Sequence, residues 1–252
     1  MSNPIELLRD DANYYGEFGS KYLSNSDIDA LLNDPRQFKA KKKDNINFHV
    51  GRLFHQQMLE PEKAKDFPYV SASSRMTNIY KDYIKENNVE FAMLEKEYND
   101  TISMCKYARS DLFFFENVIG REGVNEQPGI MDIHGVPFKA KADRIVSDAV
   151  IDIKSTSDIS KFRSSAYKYN YDSQAYIYQT IFKKPMIFFV VEKTRKEDFR
   201  GTFYHRMRVF TCSDEFVASG QDKVARAVDV YKTYFSKEKT KDIEDYFINL
   251  TL

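Results

Sequence analysis

Between residues 137 and 156, apolar and polar side chains alternate on either side of Ser147-Asp148, the pattern of two short strands joined by a tight turn. A two-residue loop sets the register: Val146 opposite Ala149, Ile145 opposite Val150, Arg144 opposite Ile151 and Asp143 opposite Asp152. Lys154 then shares the face of Asp152, while Phe138, Ala140, Ala142, Val146, Ile151 and Ile153 line the other. One face reads as core and the other as chemistry.

The rest of the pattern places helices around this hairpin. Residues 1–19 show no clear period and read as an irregular arm. Ser26 caps a short helix over 27–33 that Asp34-Pro35 stops. A second helix runs over 47–60 to Pro61, with Phe48, Gly51 and His55 on one face and Phe54 and Met58 as an adjacent apolar pair. Residues 62–118 are mainly helical. Ser73 or Ser74 caps a helix over 75–86, Asn87-Asn88 breaks it, and 95–118 forms one or two helices in which Phe113-Phe114-Phe115 reads as core. Gly120–Pro128 is a loop or the entry to the first strand, and Gly135-Val136-Pro137 a tight turn into the central one. Beyond the hairpin, Asp158 or Ser160 caps a long helix through Phe182, and the apolar run 186–191 makes a central strand. A charged loop over 193–198 leads to a weakly alternating edge strand over 202–210, and Ser213 starts a helix to about Phe235. The tail 237–252 ends in an apolar stretch suited to packing on a neighbour. The chain reads as one α/β domain over 1–252: the arm, a mainly helical part over 20–118, a sheet and helix over 119–212, and a C-terminal helix and tail over 213–252.

Two carboxylates facing each other across a strand pair repel. A divalent cation neutralises them, and Mg²⁺ takes one or two carboxylates plus waters and phosphate oxygens. Held there, it polarises a phosphoryl oxygen and activates a water, with Lys154 placed to orient or deprotonate that water or to offset charge on the phosphate. The same pattern also fits a surface hairpin with scattered charges and a compensating lysine, because Asp-x-Lys is a short motif. A single helical histidine such as His55 is more often a core or surface residue than a ligand. The stripe Tyr167, Tyr171, Gln174, Tyr178, spaced four, three and four, is more often a half-buried packing face. Arg36 to Lys43 holds five basic residues in eight and is either a solvated loop or an edge that tracks phosphates. Lys161, Arg163 and Lys168 are further candidates for phosphate contact.

Composition narrows these readings. With 38 basic and 38 acidic residues the formal charge is zero, which argues against a passive nucleic-acid coat but leaves room for local positive patches. Two cysteines, Cys105 and Cys212, are too few for a disulfide framework or a four-cysteine iron–sulfur cluster. With no signal-like segment and no apolar run near 18 residues, the expectation is a cytoplasmic protein without membrane contact.

Asp143, followed nine residues later by Asp152-Ile153-Lys154, resembles the signature of the PD-(D/E)xK nucleases, with Ala142 where the family has proline. Four more stretches resemble the exonuclease VIII-like and RecB-like branch in order and spacing, over roughly residues 20–182: Leu23-Ser-Asn-Ser26, Gly51-Arg-Leu-Phe-His55 running to Leu59-Glu-Pro61, Glu126, and Gln174-Ala-Tyr-Ile-Tyr178. The resemblance implies a restriction-endonuclease-like core, a mixed central sheet flanked by helices, with helical N-terminal additions. It implies Mg²⁺ or Mn²⁺ held by His55, Asp143, Asp152 and Ile153, the last having only its main chain to offer. Glu126 becomes a third acid, Lys154 a catalytic lysine, and Gln174 and Tyr178 contacts to the DNA backbone or to Lys154. Some relatives carry an iron–sulfur cluster; this chain is not expected to. The implied activity is exonuclease action on double-stranded DNA ends, 5′ to 3′, in phage-type recombination. It would act beside a single-strand annealing protein, as a ring-shaped homo-oligomer, and in the host cytoplasm if phage-encoded. The competing expectations are an endonuclease or resolvase, a catalytically silent scaffold that binds DNA or a partner, and a different metal hydrolase or small-molecule phosphoesterase on an unrelated fold.

Overall fold

A computed structural model describes residues 3–41 and 44–247. Its helices are α1 (Pro4–Leu7), α2 (Asp11–Tyr15), α3 (Glu17–Ser20), α4 (Asn25–Asn33), α5 (Ile46–Leu59), α6 (Asn78–Glu86), α7 (Glu95–Ser110), α8 (Leu112–Phe114), α9 (Phe162–Lys168), α10 (Tyr171–Phe182) and α11 (Asp214–Tyr234). The strands are β1 (Tyr69–Val70), β2 (Met93–Leu94), β3 (Gly123–Ile133), β4 (Val136–Val146), β5 (Val150–Thr156), β6 (Met186–Glu192), β7 (Lys196–Glu197), β8 (Phe203–Tyr204) and β9 (Met207–Thr211). Five of them form the main sheet in the order β3-β4-β5-β6-β9, antiparallel except for the parallel pair β5–β6, which α9 and α10 connect. This is the mixed α/β architecture expected of a restriction-endonuclease-like core.

Both faces of the sheet are covered, and the alternation within β5 and β6 decides which residues go where. Ile151, Ile153, Phe189 and Val191 pack with Phe54 and Met58 of α5 and Met104 and Ala108 of α7. Phe188 and Val190 pack under α9 and α10, and Phe138 and Ala140 under α4, α10 and α11. The expected split of the hairpin into a core face and a chemical face is therefore corrected: Phe138 and Ala140 lie in a different core from Val146, Ile151 and Ile153, and Asp152 is itself 1 % exposed.

The turn register is as expected through Arg144↔Ile151, with Val146 N–H donating to Ala149 O. The ladder ends there, so Asp143 and Asp152 are not a facing pair; Ile153 N–H donates instead to Asp143 Oδ2 at 2.8 Å. The preceding turn falls one residue earlier than expected, on His134-Gly135, both with positive φ, as a two-residue hairpin needs. Pro128 stands inside β3, an edge strand, where a missing N–H is tolerated.

Other boundaries move for local reasons. The arm is three short helices rather than irregular: Asn3 and Asp10 accept from Ile5 and Ala12 N–H, and Pro4 opens α1. Each is too short to show a period. Ser24, not Ser26, starts α4, with Asp27 Oδ2 accepting from Ser24 N–H at 2.8 Å. Thr77, not Ser73 or Ser74, caps α6. The long helix after the hairpin breaks at Asn170 (φ 57), a left-handed position that asparagine tolerates, so Tyr167 leaves the stripe of Tyr171, Gln174 and Tyr178. Of the three phenylalanines only Phe114 is core; Phe113 and Phe115 are exposed, because adjacent helical residues point apart. The charged loop and edge strand resolve into the β7–β8 hairpin and the shorter β9. In the basic segment Arg36, Lys39 and Lys41 bond to Tyr246 O, Asp27 and Glu90; Lys42, Lys43 and the end of the tail, 248–252, lie outside the described residues.

Candidate active site

On β4 the side chains of Lys139, Lys141 and Asp143 follow one another at the two-residue period of a strand, and the N-terminal arm lies across the two lysines. Lys139 donates to Tyr14 O and sits 4.2 Å from the Tyr14 ring centroid; Lys141 donates to Asp11 Oδ1 at 2.6 Å. Two buried cations thus pin the arm, bringing Asp11, Tyr14 and Tyr15 to the wall of a groove of about 970 Å³. Its floor carries Asp143, Asp152 and Lys154, and its opposite wall is the α5 face of Phe48, Gly51, Arg52 and His55.

Asp143 is held from two sides. One oxygen accepts from Ile153 N–H at 2.8 Å; the other lies 3.3 Å from His55 Nδ1. Opposite it in the β3–β4 register stands Glu126, the position at which the pairing is interrupted and the backbone turns left-handed (φ 49). Ligand atoms of His55, Glu126 and Asp143 lie within 4.8 Å of one another. Burial raises the Asp143 carboxyl, but the His55 charge and hydrogen bond more than offset this and hold it below the usual range. Burial, and then the Asp143 and Glu60 charges, push Glu126 up to about 8. One imidazole nitrogen and two crowded carboxylates form a donor set that fits a divalent cation once the protons on His55 and Glu126 are given up, the imidazole favouring Mn²⁺ over Mg²⁺.

Asp152 is placed differently. Its Oδ1 accepts from Gln174 Nε2 at 2.5 Å, and its Oδ2 lies 2.7 Å from Lys154 Nζ. Burial raises its carboxyl to about 6 against the pull of Lys154, while Lys154, opposed by burial but facing Asp152, is held above the ordinary lysine range. Its ammonium also stands 4.9 Å from the Tyr171 ring centroid. Ile153 enters only through its main chain, since its side chain is core. Gln174 and Tyr178 line the groove, but their polar groups are engaged internally, the Tyr178 hydroxyl donating to Lys141 O at 3.0 Å. Gly51 does not serve close packing: a Cβ there would meet nothing within 4 Å.

Asp11, Tyr14, Tyr15, Lys141, Arg52 and Lys193 also line the groove, and sequence reasoning does not single them out. One signal points toward them. Lysines two and four residues before Asp143, on its own strand face, call for an anionic or carbonyl-rich cover.

A mixed sheet with this hairpin, its two acids and lysine, and a histidine-bearing helix laid against them defines a PD-(D/E)xK nuclease-like domain. The chain belongs to the family of the PDDEXK-like domain of unknown function DUF3799, whose profile matches residues 21–243. The crystal structure of an exonuclease candidate from Eubacterium rectale shares the fold, with a TM-score of 0.64 at 14% identity over 96% of this chain and 95% of that one. A phage-related exonuclease from Haemophilus somnus 129PT is similar at a TM-score of 0.35 and 13% identity, over 83% of this chain and 93% of that one. An alkaline exonuclease from Laribacter hongkongensis is similar at 0.33 and 13%, over 71% and 90%. Among curated proteins no sequence matches. Among the described residues no helix is long and apolar enough to cross a membrane.

Proposed function

We propose that the protein is a divalent-metal-dependent deoxyribonuclease that hydrolyses phosphodiester bonds and works as an exonuclease from DNA ends. The observation that carries this reading is the convergence of His55, Glu126 and Asp143 beside the Asp152–Lys154 pair at the floor of one open groove. His55, Glu126 and Asp143 would hold the metal, with Asp152 and the Ile153 main chain at its border. A bound Mg²⁺ or Mn²⁺ supplies Lewis acidity toward a phosphoryl oxygen and a more acidic water. Lys154, kept charged by Asp152, offsets charge that develops on the phosphate. Gln174 acts through Asp152 by fixing its Oδ1, and Tyr178 by tying α10 to β4; both are positioning residues with DNA in the adjoining groove.

The finer part of the proposal follows the family resemblance: 5′ to 3′ action on double-stranded ends in phage-type recombination, beside a single-strand annealing protein, by a homo-oligomer. The test is incubation with end-labelled linear and closed circular DNA, with and without Mg²⁺ or Mn²⁺. Metal-dependent loss of the linear substrate alone supports the exonuclease. Cutting of the circle makes the protein an endonuclease, and no cleavage of either makes it a binding scaffold.

A further inference from the structure

Lys193 follows β6, its N–H donating to Thr156 O at 2.8 Å. Lys154 pairs with Val190, so Lys193 lies three residues, about 10 Å, further along the sheet. The segment beyond it is rich in cations, and they are sorted by what they face. Lys196 is 3.7 Å from Glu192 Oε1, and Arg206 is 2.6 Å from Glu192 Oε2. Lys193 and Arg195 have no carboxylate partner among the described residues: Lys193 Nζ donates to the neutral Asn47 Oδ1 at 2.8 Å, and the Arg195 guanidinium lies 3.8 Å over the Phe203 ring. Stacking fixes the plane of that guanidinium and leaves its N–H groups free.

Lys193 stands between two cavities, and Arg195 in the wall of the second. Lys193 lines the groove and also a second cavity of about 510 Å³, whose wall includes Arg195, Thr194, His205, Ile46 and Val50. The two carboxylates in that wall are already paired, Glu97 with Arg75 and Asp100 with Lys96. His205 is 5 % exposed; its Nδ1 lies 2.8 Å from Glu192 O, and its Nε2 is buried without a hydrogen-bond partner. Two cations without counter-charge and an unpartnered buried nitrogen therefore line a cavity that shares Lys193 with the groove leading to the acids. Burial also holds the Lys193 ammonium below its ordinary pKa, as an anion at this point would reverse.

We propose that Lys193 and Arg195 form a phosphate subsite outside the metal centre. It binds backbone phosphates of the nucleic-acid strand as the strand leaves the groove over Lys193 toward the second cavity. Lys193 acts as a point charge and Arg195 as a planar fork on successive phosphate oxygens. This inference rests on the nuclease reading and names part of its substrate track.

The test is salt-dependent binding of a fluorescent oligonucleotide in Ca²⁺ to the parent and to the double variant Lys193→Gln, Arg195→Gln. Each phosphate left without its cation should flatten the slope of log affinity against log salt by about 0.7 on a single strand or about 0.9 on duplex. KM for long DNA should rise with kcat kept. Hydrolysis of bis(p-nitrophenyl) phosphate, a single phosphodiester too short to reach Lys193, should be equal in both proteins. The charge-preserving pair Lys193→Arg, Arg195→Lys should keep most of the parental slope. An unchanged slope in the glutamine variant overturns the subsite while leaving the nuclease reading intact, as does equal loss on the small diester, which would move the effect to the metal centre. Competition by a free mononucleotide that the variant loses, with the DNA slope unchanged, also overturns it in favour of a small-anion site. A parent that binds no DNA overturns both readings.

Discussion

Asp143 takes the hydrogen bond that Ile153 would otherwise give to a strand partner, its Oδ2 accepting the Ile153 N–H at 2.8 Å. One side chain thereby ends the β4–β5 ladder and leaves its other oxygen toward His55, 3.3 Å away. Strand separation and acid placement are a single event at this residue.

Crowding of the acids sets a trade between stability and metal binding. Burial and the Asp143 charge raise Glu126 to about 8, so in the metal-free protein its stabilising contribution is full below pH 4.5 and is lost as pH rises through about 8. Glu126→Gln should match the parent in Tm at pH 4.5, exceed it by about 1–2 kcal/mol of stability at pH 8, and bind Mn²⁺ far more weakly. Thermal melts in chelator and calorimetric titrations check both halves; a variant less stable than the parent at pH 8 would sink the argument.

Lys154 is held charged beside Asp152, and its proposed role is on the transition state. Lys154→Ala should lower kcat and kcat/KM by similar factors, about 10²-fold or more, with DNA affinity in Ca²⁺ little changed. An effect confined to KM would make it a DNA-binding residue instead. Asp152→Asn should abolish metal-dependent cleavage, and undiminished cleavage by that variant removes Asp152 from the chemistry.

Metal uptake should release a proton from His55. Burial disfavours the imidazolium, but the Asp143 carboxylate outweighs it and lifts the imidazole to about 9. Metal needs the neutral ring, so affinity should fall as pH drops below about 9 rather than below the ordinary value near 6.5. The ion pair itself stabilises the metal-free fold fully below about 6.5 and is lost through about 9. Calorimetry in buffers of different ionisation enthalpy should detect about one more proton released at pH 7.5 by the parent than by His55→Ala, Glu126 giving up its own proton in both. His55→Ala should also weaken Mn²⁺ more than Mg²⁺; equal Mn²⁺ affinity in both proteins returns His55 to a packing role.

The open space at Gly51 gives a substitution with opposite effects on fold and function. Gly51→Ala meets nothing within 4 Å and should stabilise α5 by about 0.5–1 kcal/mol. The added methyl projects into the groove, so KM for DNA should rise. A variant that is stabilised and binds DNA unchanged shows that the strand does not pass this face.

Elements with a long period are legible in the amino-acid sequence itself. The hairpin turn, α5 with His55, β6 and α11 capped by Ser213 stand where pattern and capping put them. What escapes is short or depends on single backbone conformations. Helices of four or five residues in the arm carry no readable period, so the wall formed by Tyr14 and Tyr15 is invisible at that level. Left-handed Asn170 splits a run that propensity alone would continue, and left-handed Glu126 interrupts the strand pairing beside Asp143. Register arithmetic assumes main chain bonds to main chain; the Asp143–Ile153 bond breaks that assumption, which is why the two acids do not face each other.

The outer strand β3 has a consequence for how copies of this chain can meet. An incoming strand would find a proline without a donor at 128, a left-handed residue at 126, and Arg9 of the arm donating to Gln127 Oε1 at 2.9 Å. These are the interruptions by which sheets resist edge-to-edge growth. Extension of the sheet through the middle of β3 into a neighbour's is thereby disfavoured.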